Sequence, residues 1–188
     1  MKQVKGYSIK STPTKPKQAG DEPPLPPASA VIFGEVADFI PHTGNMVLLD
    51  RIIACDAYGL TAELRVRDDG LLGNADLVPA WAGMEYMAQT IAAYSGVMAV
   101  QTRQGIRQGY LLGTRRYCSN VAAFSVGAVL TVKISKLCQE DSLGVFDCRI
   151  QGEGVEVRAN LNVYLPPLKQ DKLISLRLHY QDSILPFL

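Results

Sequence analysis

Apolar and polar residues alternate strictly through "VEVRANLNVYL", residues 155–165. Val155, Val157, Ala159, Leu161, Val163 and Leu165 fall on one side, and Glu156, Arg158, Asn160, Asn162 and Tyr164 on the other. A period of two marks a strand with one face on a core. "LTAELRVR" (60–67) repeats it with Leu60, Ala62, Leu64 and Val66 inward, and "VLTVKISK" (129–136) with Leu130, Val132 and Ile134. "MVLLDRIIACDA" (46–57), "YLLGTRRYC" (110–118) and "LGVFDCRIQG" (143–152) read as further strands that alternate less cleanly. Tyr58-Gly59 links the first two segments and Gly152 to Gly154 the last two, so each pair is expected to lie antiparallel. The pattern predicts one sheet of about six strands.

Residues 79–102 change period. Pro79 suits a first helical turn and no later proline interrupts. Trp81, Met84, Ala88, Ile91, Ala92 and Ala99 follow helical spacing, yet apolar residues occur almost all round, so the helix should be wrapped on most sides. The architecture expected is α+β: an antiparallel sheet curled around one long central helix.

Composition sets the limits of this domain. The chain has 188 residues, 47% of them apolar, which is enough for one buried core over residues 31–167. Residues 1–30 hold five lysines against Asp21 and Glu22, a net of +3, are rich in Pro, Ser and Thr, and lack an apolar signal-like run; they read as a disordered leader. The rest must then sum to −2 to give the chain's +1, and a near-neutral body offers little for nucleic acid. No stretch reaches the roughly 18 uninterrupted apolar residues of a membrane span. Cys55, Cys118, Cys138 and Cys148 show no C-x-x-C spacing and sit in or at the end of strand-like runs, which reads as buried reduced thiols in a cytoplasmic protein. With only His42 and His179 as imidazoles, no metal site is expected. The tail, 168–188, is too apolar for a plain disordered end but follows the strand-breaking Pro166-Pro167; it is given no role.

One formal charge lies inside the helix stretch "PAWAGMEYMAQTIAAYSG": Glu85. An enclosed carboxylate is costly unless hydrogen-bonded or paired, and such a group is suited to giving and taking a proton; the alternative is that Glu85 faces solvent or a partner chain, favoured by the nearby helix amino end. Gln89 lies one turn later on the same face and is placed to orient it. Ala80, Ala82 and Gly83 leave the backbone N–H groups at the helix start sterically open, where they can polarise a carbonyl oxygen; equally, such small residues permit close packing of helix on sheet. His42 follows a proline on a loop before the first strand, a position from which an imidazole can reach a cleft. Asp50-Arg51 reads as a surface or turn-stabilising pair. No G-x-G-x-x-G or P-loop pattern is present, so no nucleotide cofactor is implied.

The order "PHTGNMVLLDRI", hairpin, "GMEYMAQ", then "FSVGAVLTVKISK" resembles the hotdog-fold FabZ- and FabA-type dehydratases of 3-hydroxyacyl groups on acyl carrier protein. More specifically it resembles the ApeP-type dehydratase-like subunits of aryl polyene biosynthesis, over about residues 33–166. The resemblance implies an acyl carrier protein as the bearer of the substrate and a homodimer or a heterodimer with another hotdog subunit, each site being built across the subunit interface. It places Glu85 as the acid that assists departure of the 3-hydroxyl, and the amides of Ala82 and Gly83 as holders of the thioester oxygen. The histidine that FabZ-type enzymes carry in a Gly-His-Phe-Pro-Gly stretch before the helix is missing, since this chain reads "DDGLLGNADLVPAWAG" there. Either His42 takes over the base role, or the chain serves as partner to an active hotdog subunit; a hotdog thioesterase that uses Glu85 without a histidine is the third reading.

Overall fold

The computed structural model describes residues 33–167 apart from 69, 70 and 75. The leader and the tail lie outside the described residues. In chain order the elements are β1 (Arg51–Cys55), β2 (Gly59–Arg65), β3 (Leu77–Pro79), α1 (Gly83–Gln101), β4 (Tyr110–Ser119), β5 (Ala123–Ser125), β6 (Val129–Glu140), β7 (Leu143–Gly152) and β8 (Val155–Tyr164). Six strands form one sheet in the order β1-β2-β6-β7-β8-β4, and β3 and β5 form a separate two-stranded ladder. Every pairing is antiparallel, including the two hairpins that the turn residues predict.

The period-two residues meet in continuous rungs across this sheet. Ala62 faces Val132, Val132 faces Ile150, and Ile150 faces Val157; one rung along, Leu60, Ile134, Cys148, Ala159 and Tyr117 line up the same way. All of these except Tyr117 are buried. Burying each aliphatic side chain is worth roughly 1.5–3 kcal/mol, and a one-residue slip would turn every one of them to water, so the register is fixed by the core face. The less regular alternation of the other strands has a local cause: the ladders shift register at Ile52–Ala54 in β1, and at Leu111–Gly113 and Thr114–Tyr117 in β4.

The sequence pattern does not reveal β3 and β5. Each has three residues, one ends in proline, and both are too short for periodicity to register. Their ladder pairs Val78 with Phe124 and brings the chain to the start of α1, where the Ala80 N–H donates to the Ala122 carbonyl at 2.9 Å.

α1 packs on the sheet, against β2, β6, β7 and β8, and its Tyr86, Met87, Thr90, Ile91, Tyr94 and Val97 are all buried. Tyr86 stacks at a tilt on Phe124, and Tyr94 meets Phe146 edge to face, each at 6.0 Å between ring centres. The helix is wrapped on most sides, as its all-round apolar pattern implies, and open along one stripe. Glu85, Ala88, Ala92, Ser95 and Ala99, spaced at helical intervals, are only half-buried, and Trp81 at the head of this stripe is 56% exposed. The helix stops at Thr102, whose hydroxyl donates to Met98 O, followed by Arg103 in the left-handed region at φ 55°.

The cysteine expectation needs correcting. Cys148 is buried and its thiol is pushed up to about 12 by that burial, but Cys118 and Cys138 are exposed. Cys138 follows a register shift at Lys136–Cys138 that takes the end of β6 off the core. No helix among the described residues is long and apolar enough to cross a membrane.

Backbone lies directly on backbone where residues 39–42 cross α1. A Cβ placed on Gly96 would overlap the Phe39 carbonyl. Helix propensity alone favours alanine there by about 1 kcal/mol. The overlap is with main chain that no rotamer change can relieve, so Gly96→Ala is expected to lower stability by about 1–3 kcal/mol in urea unfolding. An unchanged or raised midpoint would show that the crossing is looser than this.

Candidate active site

Residues 41–48 run alongside α1, and one side chain holds them there. Gln89 is completely buried. Its Oε1 accepts from Leu48 N at 2.9 Å, and its Nε2 donates to Met46 O at 2.8 Å and to Glu85 Oε1 at 2.9 Å. Both functional atoms of the carboxamide are therefore used, two bonds going to the loop backbone and one to the carboxylate one turn earlier. The loop itself bends through a 3₁₀ turn, Gly44–Met46, whose Gly44 has φ 58°, a conformation that glycine adopts without strain.

This clamp sets His42 beside Glu85. His42 Nε2 lies 3.6 Å from Glu85 Oε1, with the two side chains 27% and 33% exposed. The separation is slightly longer than a hydrogen bond, close enough for one to form on a small adjustment when a substrate enters. His42 Nδ1 is buried with no hydrogen-bond partner among the described residues. Glu85 is thus half-sheltered, on the open stripe of α1.

The pair stands in a cleft with about 150 Å³ of free space. Ala88, Ile91 and Ala92 form its floor, Val163 and Leu165 its wall, and Arg107 and Tyr110 its far side. Glu85, Ala88, Ala92 and Ser95 follow one another at intervals of three and four residues, so the cleft runs about 15 Å along the helix at 1.5 Å per residue. The lining is small and apolar except at its two ends. Such a slot suits a narrow aliphatic or conjugated chain with its reactive group at the His42–Glu85 end.

Not every expected site residue arrives. Ala82 is completely buried, and Gly83 is packed so closely that a Cβ there would lie 2.5 Å from the Tyr117 hydroxyl and 2.9 Å from Ile150 Cδ1. The Gly83 N–H donates back to the Ala80 carbonyl within the 3₁₀ turn Ala80–Ala82, and that carbonyl also accepts from the Tyr117 hydroxyl. Neither Ala82 nor Gly83 lines the cleft. Here the small residues serve close packing, the alternative that their size left open. Tyr117, whose phenol burial pushes up to about 12, locks this helix start from β4. Asp50 and Arg51 do not pair with each other. Asp50 accepts from Arg65 N and pairs with Arg67, while Arg51 pairs with Glu63, which ties β1 to β2 at the surface.

Residues 34–175 match the family model described as ApeP-like, ApeP dehydratase. The chain belongs to the ApeP-like dehydratase family. Among solved structures it resembles the dehydratase heterocomplex ApeI:P from Xenorhabdus doucetiae, with 31% identity, a TM-score of 0.68, and 77% of this chain and 97% of that one covered. A hypothetical thioesterase protein with coenzyme A from Streptococcus pneumoniae is similar at 14% identity and a TM-score of 0.46, over 62% of this chain and 84% of that one. The comparison with curated proteins finds no significant match. The ApeP-like chain has the hotdog fold, one long helix against an antiparallel six-stranded sheet.

Pattern reading singled out Glu85, His42 and Gln89 but missed the rest of the cleft. Ser95 was detectable as the fourth member of the stripe that starts at Glu85. Arg107 and Tyr110 come from the segment leading into β4 and carry no local signal. Gln89→Leu in this ApeP-like protein is expected to leave the buried Leu48 N–H without a partner, at about 1–3 kcal/mol, and to remove the part-buried bond to Met46 O as well. Chemical unfolding should report a loss in that range or beyond; a loss below about 0.5 kcal/mol would mean that the clamp does not hold the loop.

Proposed function

We propose that the protein is a hydro-lyase that dehydrates 3-hydroxyacyl thioesters carried on an acyl carrier protein, in aryl-polyene-type biosynthesis in the cytoplasm. The reading rests on His42 Nε2 standing 3.6 Å from Glu85 Oε1 at one end of an apolar cleft. The neutral imidazole of His42 takes a proton from C2. The C2–C3 double bond forms as the 3-hydroxyl departs, and Glu85, entering as the acid, supplies the proton that makes it water. The imidazolium then returns its proton to the Glu85 carboxylate beside it, and both groups are reset. Products are the 2-enoyl thioester and water. An amide donor for the thioester oxygen from Ala82 or Gly83 requires the turn that holds the Gly83 N–H to open.

A second hotdog subunit as partner is part of the proposal. β4 is an edge strand that begins with Tyr110, Leu111 and Leu112, which are 50%, 41% and 59% exposed, and Tyr110 and Leu111 also wall the cleft. An apolar open edge next to the site is a surface suited to pairing with another strand. The missing pre-helix histidine favours one variant of this reading, in which the partner subunit brings that histidine and this chain brings Glu85.

Glu85→Gln and His42→Ala are each expected to reduce 2-enoyl formation by about 10²–10⁴-fold without unfolding the protein, measured on a 3-hydroxyacyl carrier substrate with the partner subunit present. Full turnover in both variants would contradict the site. If only Glu85→Gln is inactive, the base belongs to the partner. Release of free thiol in place of enoyl product would establish thioester hydrolysis instead.

A further inference from the structure

The cleft does not end at Ser95. A second hollow of about 340 Å³ shares Ser95, Arg107 and Leu165 with it and continues past Thr102 to Lys136. Among the described residues no carboxylate lines the second hollow, and Glu85 is the only one on the first. Arg107 is half-buried and gives one N–H to the Pro166 carbonyl at 3.1 Å, out of the five donors a guanidinium carries. Lys136 is half-buried too, its ammonium 5.7 Å above the Tyr94 ring. Among the described residues neither cation is paired with a carboxylate. Two partly desolvated cations without counter-charge are costly by themselves and favour an anion between them.

We propose that Arg107 and Lys136 form a subsite for an anionic group, phosphate or carboxylate, on the same molecule as the reacting thioester. The subsite begins about 15 Å from the His42–Glu85 end, the rise of α1 from Glu85 to Ser95. The inference rests on the cleft taking a thioester. The anion reaches the subsite either on the thiol arm or at the far end of the acyl chain, and both present the same oxygens to the two cations. Arg107 and Lys136 are then specificity-determining residues for this site.

Unreactive acyl thioesters lacking the 3-hydroxyl separate the sources by calorimetric titration into the full-length protein. One probe carries a phosphate on its thiol arm, one a terminal carboxylate on its acyl chain, and one is neutral throughout. One anionic probe is expected to bind at least about tenfold tighter than the neutral one, the order of one charge-assisted hydrogen bond. Arg107→Met and Lys136→Met should each remove that advantage, weakening the anionic probe at least about tenfold more than the neutral one, and Arg107→Lys should restore part of it. Added salt should erode the preference in the wild-type protein, a readout independent of any variant's folding. Equal affinity for all probes, or equal weakening of all by both variants, would overturn the subsite and make the cations mere complements of the carbonyl end of α1. Binding is read instead of turnover, so loss of the dehydration chemistry alone leaves the test valid. Failure of every thioester to bind would overturn the subsite and the acyl cleft together.

Discussion

A single buried carboxamide joins the two halves of the site. Gln89 satisfies a backbone donor and a backbone acceptor of the loop carrying His42 and, with its remaining N–H, holds the carboxylate of Glu85. Losing the bond to Leu48 N would strand a buried donor, at about 1–3 kcal/mol, and the two part-buried bonds add to the same hold. The loop, the helix and the acid are therefore fixed relative to one another by the same constraint. The Phe39–Gly96 crossing, where main chain rests on main chain, closes the arrangement from the other end of the loop.

The fold supplies the open face on which that constraint acts. The sheet covers the Tyr86, Thr90, Tyr94 and Val97 side of α1, and the loop covers Gln89. The stripe from Glu85 to Ser95 is left between them. In the proposed reading an acyl chain along that stripe would meet alanines, which keep the slot open, and reach His42 and Glu85 at one end and Arg107 and Lys136 at the other. The apolar edge of β4 borders the same slot, so a second hotdog chain added there would finish a wall of the site.

Much of this was legible in the residues. Alternation located β2, β6 and β8 because each has one face on the core, the other long strands showed only as apolar runs, and Glu85 stood out as the lone charge in a small-residue helix. The three-residue strands β3 and β5 were not legible, since three residues carry no period. Nor was the uncovered side of α1: the helix is apolar all round, and which side stays open is decided by where the sheet and loop end. Gln89 could be matched with Glu85 at a spacing of four, but its bonds to Leu48 N and Met46 O span 41 and 43 residues. The helix-start amides misled in the opposite way, because the small residues that would open them to a ligand are occupied in packing against Tyr117, Phe124 and Ile150.

The central claim is that His42 and Glu85 work as one unit, passing a single proton between them. A double-mutant cycle on single-turnover dehydration, comparing His42→Ala, Glu85→Gln and the double variant, tests it most directly. Groups that act together lose activity once, so the double variant is predicted to be about as slow as the slower single variant. Losses that multiply, with the double variant slowed by the product of the two single effects, would contradict it.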